Sequence, residues 1–164
     1  MGWLKMISIM KLYKLSKWLF YRDYKYLSNK VDTLNKVLNK CVLHGETKIC
    51  DNFSLGYGGI GVVIHRHATI GKNCTISQNV TIGRKKGKND GVPVLGDNVY
   101  VGANTVIFGD IVVGDNCIIG PCTLVNKSIP SNSIVAGNPF KIIKKITKEN
   151  YKEYLPYNID NEKL

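Results

Sequence analysis

At 164 residues the chain has room for one domain with a modest core and a short helical appendage. Its formal charge of +11 is concentrated toward the start, where residues 1–50 hold ten Lys or Arg against Asp23, Asp32 and Glu46, yet no nucleic-acid-binding motif organises it. Five cysteines without a CxxC pair (Cys41, Cys50, Cys74, Cys117 and Cys122) exclude a disulfide framework and a metal cluster, and read as reduced thiols of a cytoplasmic protein.

Residues 1–40 are predicted as two helices with a break near residues 21–26. The first twenty residues mix Trp3, Leu4, Ile7, Leu12, Leu15, Trp18 and Leu19 with Lys5, Lys11, Lys14 and Lys17. Those lysines forbid a membrane span, which needs about 20 mostly apolar residues, and no apolar core of a signal peptide is present. Two readings fit the segment: a basic amphipathic helix lying on an anionic inner-membrane surface, or a helix packed on the rest of the protein or on a neighbouring subunit. The stretch "VDTLNKVLNK" (31–40) has helical spacing at Val31, Leu34 and Leu38.

Residues 41–143 form the main domain. From residue 64 an aliphatic anchor recurs every sixth position: Ile64, Ile70, Ile76 and Ile82, then Leu95, Val101, Ile107, Val113, Ile119 and Val125. Glycine follows six of these anchors, and the residue four after an anchor is small or β-branched, as at Ala68, Cys74, Thr105 and Cys117. A period of six fits neither a helix nor an alternating strand, so the repeat is supersecondary: short strands with a corner at each glycine, wound into stacked coils. Two places break the rhythm. The glycine cluster "LGYGGIG" (55–61) disturbs the start, and residues 84–94 stretch the step from Ile82 to Leu95 to thirteen. The second interruption, rich in turn formers and lysines, reads as a projecting functional loop. Residues 144–164 are expected to be a charged helical tail capping the open end of the coil.

These stretches resemble a known family. "IHRHATIGKNCTISQNVTIG" (64–83), "VPVLGDNVYVGANTVIFGDIVVGDNCIIG" (92–120) and "IPSNSIVAGNPFKII" (129–143) look like the left-handed parallel β-helix of hexapeptide-repeat acyltransferases. The nearest branch contains serine acetyltransferases and O-acetyltransferases of bacterial surface sugars. The resemblance implies a homotrimer, with acetyl-CoA as co-substrate in a groove between subunits and the projecting loop reaching the neighbour. It implies no metal. The acceptor it suggests first is a hydroxyl of a sugar or sugar intermediate in surface-polysaccharide synthesis, with serine second and a non-catalytic scaffold third.

Transfer of an acyl group to a hydroxyl needs a base, an oxyanion donor and a site for the cofactor. The chain has three histidines, His44, His65 and His67. In serine acetyltransferases the catalytic histidine falls at Gly58 here, its orienting aspartate at Val42 and a loop histidine at Val92, so none of the three is kept. His44 matches a position outside that dyad. "GYGGIGVVIH" (56–65) resembles a sugar-acetyltransferase-like variant with a histidine at position 65. A coil of three hexads also stacks residue 65 beneath Gly83 at the loop root, so His65 is the first candidate base. His67, counted beneath Lys85, is the second. For the cofactor, Arg84, Lys85, Lys86 and Lys88 offer cations to phosphates. The resemblance assigns Ala103 and Asn104 to the pantetheine strand, Lys141 to a phosphate, and the backbone amides of Gly83 and Gly102 to the thioester oxygen.

Overall fold

A computed structural model describes residues 8–87 and 91–154. Two antiparallel-connected helices, α1 (Ile9–Tyr21) and α2 (Lys25–Asn39), precede a three-faced parallel coil. With strands numbered along the chain, the first face stacks β1 (Lys48–Ile49), β4 (Thr69–Ile70), β7 (Val94–Leu95) and β10 (Val112–Val113). The second holds β2 (Ser54–Leu55), β5 (Thr75–Ile76), β8 (Tyr100–Val101), β11 (Ile118–Ile119), β13 (Ser133–Ala136) and β14 (Lys141–Lys145). The third holds β3 (Val63–Ile64), β6 (Thr81–Gly83), β9 (Val106–Phe108) and β12 (Leu124–Val125). The fold is the β-helix that the period of six requires.

All ten anchors are at most 1% exposed, and Ala68, Cys74, Val80, Val99, Thr105, Cys117 and Thr123 are equally buried. Each coil therefore contributes three large aliphatic side chains and three smaller ones to one continuous core. The cysteines are all free thiols. Burial pushes Cys41 and Cys117 up to about 11 and Cys74 to about 12, so these three are inert packing residues.

Strand register locates every irregularity. Regular coils pair residues 18 apart, as in Val63↔Thr81 and Tyr100↔Ile118. The first coil pairs residues 21 apart, as in Ser54↔Thr75, because the glycine cluster inserts a short 3-10 turn, Gly56–Gly59. Pairs that span the loop are 25 apart, as in Thr69↔Val94. Both insertions sit at corners, and the anchors stay in register on either side of them.

The corner between the first and second faces is built differently from the expectation. Its left-handed residues are asparagines: Asn52, Asn73, Asn98, Asn116 and Asn132, with φ between 55° and 59°. Each donates its side-chain amide to the carbonyl of the next, at 3.0, 3.0, 2.8 and 2.8 Å. Asparagine tolerates this backbone conformation better than other side-chain-bearing residues, and the ladder pairs the side-chain amides, including that of buried Asn116. A shorter ladder, Asn79 to Asn104 at 3.1 Å, marks the corner between the second and third faces. The repeat glycines serve another purpose. A Cβ on Gly71 would lie 2.3 Å from the Gly96 carbonyl oxygen, and one on Gly102 would lie 2.6 Å from Pro121 N, so these positions are glycine because adjacent coils approach closely there.

The helices pack on the lowest coil. Tyr13 Oη donates to the Thr47 carbonyl at 2.8 Å and Lys17 Nζ to that of Ile49 at 3.3 Å. A Cβ on Gly45 would meet the Ser16 backbone at 2.6 Å, which fixes how closely α1 sits. Within residues 8–20 the amphipathic segment is thus a packing helix, although Leu15 and Trp18 remain about half exposed; Trp3, Leu4, Lys5 and Ile7 lie outside the described residues. The face of α2 turned inward is polar, with Ser28, Asp32, Asn35 and Asn39 buried, whereas Leu34 and Leu38 are 44% and 48% exposed. The reason is the close crossing with α1, where Ser16 Oγ meets Ser28 Oγ at 2.8 Å and Asp32 Oδ1 at 2.5 Å. No helix among the described residues is long and apolar enough to cross a membrane.

The tail departs from the helical expectation. Lys144 and Lys145 belong to β14, which pairs antiparallel with β13, and among the described residues the helical part of the tail is a single turn, α3 (Tyr151–Tyr154); residues 155–164 lie outside them. The isoleucines of "KIIKKI" favour a strand, and the last parallel strand otherwise offers a bare edge.

Asn116 is fully buried, and its replacement tests the ladder. Asn116→Ala combines a left-handed penalty of roughly 1–2 kcal/mol with hydrogen-bond losses of about 1 kcal/mol each. Urea denaturation should place it 2–4 kcal/mol, roughly, below wild type, with Asn116→Gly less destabilised because only the ladder is lost.

Candidate active site

Among the described residues, the corner between the third and first faces has no asparagine ladder, and it gathers the histidines. Val42 bridges Val63 and Lys48 pairs with Thr69, so His44 stacks under His65 and Glu46 under His67. Val63↔Thr81 and Ile64↔Ile82 carry the first column on to Gly83, and His65 N donates to the Ile82 carbonyl at 2.8 Å. The expected stacking of His65 beneath the loop root therefore holds. His67 counts to Lys85 from that side but to Val92 from Thr69↔Val94, because the loop inserts between the two counts. Arg84 and Lys85 are exposed at the loop root, and Lys85 N donates to the Gly91 carbonyl at 3.3 Å. Lys88 lies outside the described residues.

Each histidine has its own partners. His44 Nδ1 is 3.3 Å from Asp32 Oδ2, and Asp32, buried in the helix crossing, also accepts from Gly45 N at 3.2 Å. His65 Nδ1 accepts the His67 backbone N–H at 3.2 Å, and the two rings meet edge to face at 5.4 Å. His67 Nε2 is 3.4 Å from Glu46 Oε1, which also lies 3.3 Å from Arg66 Nε. A cleft of about 420 Å³ opens beside this corner, lined by Asp32, Lys36, His44 and Arg66 among others. Partial burial, then the charges of His67, Arg84, Arg66 and His44, lower the His65 pKa below its ordinary 6.5. The shift favours the neutral ring.

The expected cofactor residues fall into two groups. Gly83, Arg84 and Lys85 belong to the histidine corner. Gly102, Ala103 and Asn104 lie at the corner between the second and third faces, with the width of the third face between them. Lys141 joins the second group, since it pairs with Ala136, and register runs from Val101 through Ile119 to Val135. One chain does not bring the two groups together. Asn104 is already accounted for as a ladder rung, with φ 58° and its carbonyl taken by Asn79. Positions Val42, Gly58 and Val92 carry no acid–base group, and Tyr57 beside Gly58 is left-handed and exposed. Glu46 and Asp32 escaped the sequence reading. Glu46 lies in the 21-residue coil, where a count of 18 misses it, and Asp32 arrives from a helix outside the repeat.

The His65 environment has a measurable consequence. Its folded pKa lies below the unfolded value of about 6.5, so the unfolded chain takes up the proton first. This ring therefore lowers stability as pH falls below about 6.5. Proton NMR should show the His65 midpoint below 6.5, and Arg84→Gln should move it upward.

Comparison with known proteins agrees with the architecture. Residues 93–127 match the family profile described as bacterial transferase hexapeptide (six repeats). A serine acetyltransferase of Staphylococcus epidermidis is 35% identical over 128 residues, covering 76% of this chain and 59% of the relative. One from Synechococcus elongatus is 31% identical over 134 residues, covering 80% and 54%. The chain thus spans less than two thirds of these relatives' length. Among solved structures, a serine acetyltransferase from Brucella abortus superimposes with a TM-score of 0.79 at 26% identity, over 88% of this chain and 58% of that one. The enzyme from Vibrio cholerae gives 0.81 at 25% identity, over 97% and 61%. By its repeats, its coil and these relatives, the chain belongs to the hexapeptide-repeat family of bacterial transferases.

Proposed function

We propose that the protein is an acetyl-CoA-dependent O-acetyltransferase working at the histidine corner, with L-serine as the first acceptor to test. The observation that carries this reading is the set of relatives at 31–35% identity, which are named serine acetyltransferases. Two structural neighbours at 26% identity add to it: the Brucella abortus enzyme solved with coenzyme A and the Neisseria gonorrhoeae enzyme solved with serine. This reverses the order expected from the sequence. The relatives' names support serine over a sugar of a polysaccharide pathway.

In the reaction the acceptor hydroxyl attacks the thioester carbonyl carbon while a base takes its proton. The carbonyl electrons move to oxygen, return as the C–S bond breaks, and the departing thiolate is protonated. His65 and His67 supply the acid–base groups that Gly58 and Val42 lack. The separation of the two cofactor groups favours a homotrimer, in which the loop root of one subunit faces the Gly102–Asn104 corner of the next. Arg84 and Lys85 then serve the nucleotide phosphates.

Detection of free thiol from acetyl-CoA, with L-serine and a panel of sugars as acceptors, tests the reading. Turnover is expected with serine, and His65→Ala or His67→Ala should lower kcat by about 10²–10⁴. A folded protein releasing no coenzyme A with any acceptor would leave only a scaffold role. Sedimentation equilibrium should report a trimer; a monomer at micromolar concentration would remove the shared site.

A further inference from the structure

Glu46 is a carboxylate with one oxygen sealed from solvent. Its Oε1 is shielded from solvent and forms no hydrogen bond; the nearest charged groups are Arg66 Nε at 3.3 Å and His67 Nε2 at 3.4 Å, both at ion-pair distance. Register places Glu46 directly beneath His67, so the coil brings the two side chains side by side. A buried anionic oxygen keeps its charge only when donors face it. A proton on His67 Nε2 is the tautomer that this unsatisfied oxygen favours, and it leaves the lone pair on Nδ1. The His67 side chain is 63% exposed, which leaves the ring open to an acceptor.

His65 has the complementary arrangement. Its Nδ1 lone pair takes the His67 backbone N–H at 3.2 Å, so the neutral ring carries its proton on Nε2. Two adjacent imidazoles thus present different chemistry: a lone pair on one and an N–H on the other. A base oriented by a third group is the arrangement nucleophile activation requires.

We propose that Glu46 is the positioning residue of a Glu46–His67 pair in which His67 is the general base, with the Nε2–H of His65 holding the oxyanion. This rests on the acetyltransferase reading and assigns its parts. His67 Nδ1 takes the acceptor's hydroxyl proton as the new C–O bond forms. The developing oxyanion accepts from His65 Nε2–H. When the carbonyl reforms, the C–S bond breaks and the thiolate takes the proton back from His67 Nδ1. The pair stands in place of the dyad whose positions are Gly58 and Val42 here.

Two measurements separate this assignment from the reading beneath it. The first needs no substrate: carbethoxylation by diethyl pyrocarbonate at pH 8, followed residue by residue by mass spectrometry, with His44 as internal reference. Glu46→Gln should slow modification of His67 at least about threefold relative to His44, because the oriented, charge-supported ring is the better nucleophile. General unfolding would instead accelerate all three histidines. The second is turnover of acetyl-CoA with L-serine, where Glu46→Gln should lower kcat about 10–100-fold and leave KM for acetyl-CoA unchanged. The double variant Glu46→Gln/Arg66→Gln removes both charges of the ion pair and should behave alike if the single variant is unstable. An unchanged His67 rate overturns the pairing. A slowed His67 with unchanged kcat overturns its catalytic role. Wild-type protein that turns over no acceptor defeats the acetyltransferase reading and leaves the pairing to the first measurement.

Discussion

The coil depends on turning an L-amino-acid chain through left-handed backbone geometry at the same place in every turn. Asparagines 52, 73, 98, 116 and 132 accept that geometry and bind one another across the coil spacing. Without them each corner would force another side chain into an unfavourable φ and lose the amide bond to the next coil. With the corners fixed, the anchors stack in columns and the core follows. Asp97 and Asp115 reinforce the same edge: Lys72 N and Asp97 N each donate to the carboxylate one coil on, at 2.7 Å.

The third corner is free of that duty. It carries the seven-residue surplus of the loop (25 against 18) and all three histidines, with Glu46 and Asp32 beside them. Structural demand and chemical opportunity are separated on one solenoid: two corners carry the asparagine ladders, and the other accepts the longer insertion and the polar groups. That arrangement accounts for side chains as different as His44, His65 and Gly83 sharing a column without disturbing the strands around them.

Much of this was legible in the sequence because the period of six is rigid. Ten anchors, the small-residue column, the loop and the stacking of His65 under Gly83 all follow from counting. What counting missed has physical causes. The left-handed corners were assigned to glycine, the usual residue for positive φ, although an asparagine stands two positions after Gly71, Gly96, Gly102 and Gly114. The 3-10 turn at Gly56–Gly59 shifts the first coil to 21, which hid Glu46 beneath His67. Helical periodicity identified α2 but implied that its leucines face inward; the serine crossing with α1 turned the polar stripe in. Tail residues 144–145 read as helix by their charge, whereas their place beside Ile142 and Ile143 makes them strand.

A parallel coil left open at either end is a template onto which further strands could add, copy after copy. Here both ends are closed by elements of unlike kind. Below, α1 supplies side-chain donors to the carbonyls of Thr47 and Ile49, which have no coil beneath them. Above, β14 runs against the grain of the coil and pairs with β13 with a register break between Ile134 and Val135. An antiparallel, irregular last strand does not continue the eighteen-residue lattice. Growth along the axis is thereby terminated at both ends, and the exposed apolar side chains of the coil, Val94, Tyr100, Val106 and Val112, lie on its lateral faces instead.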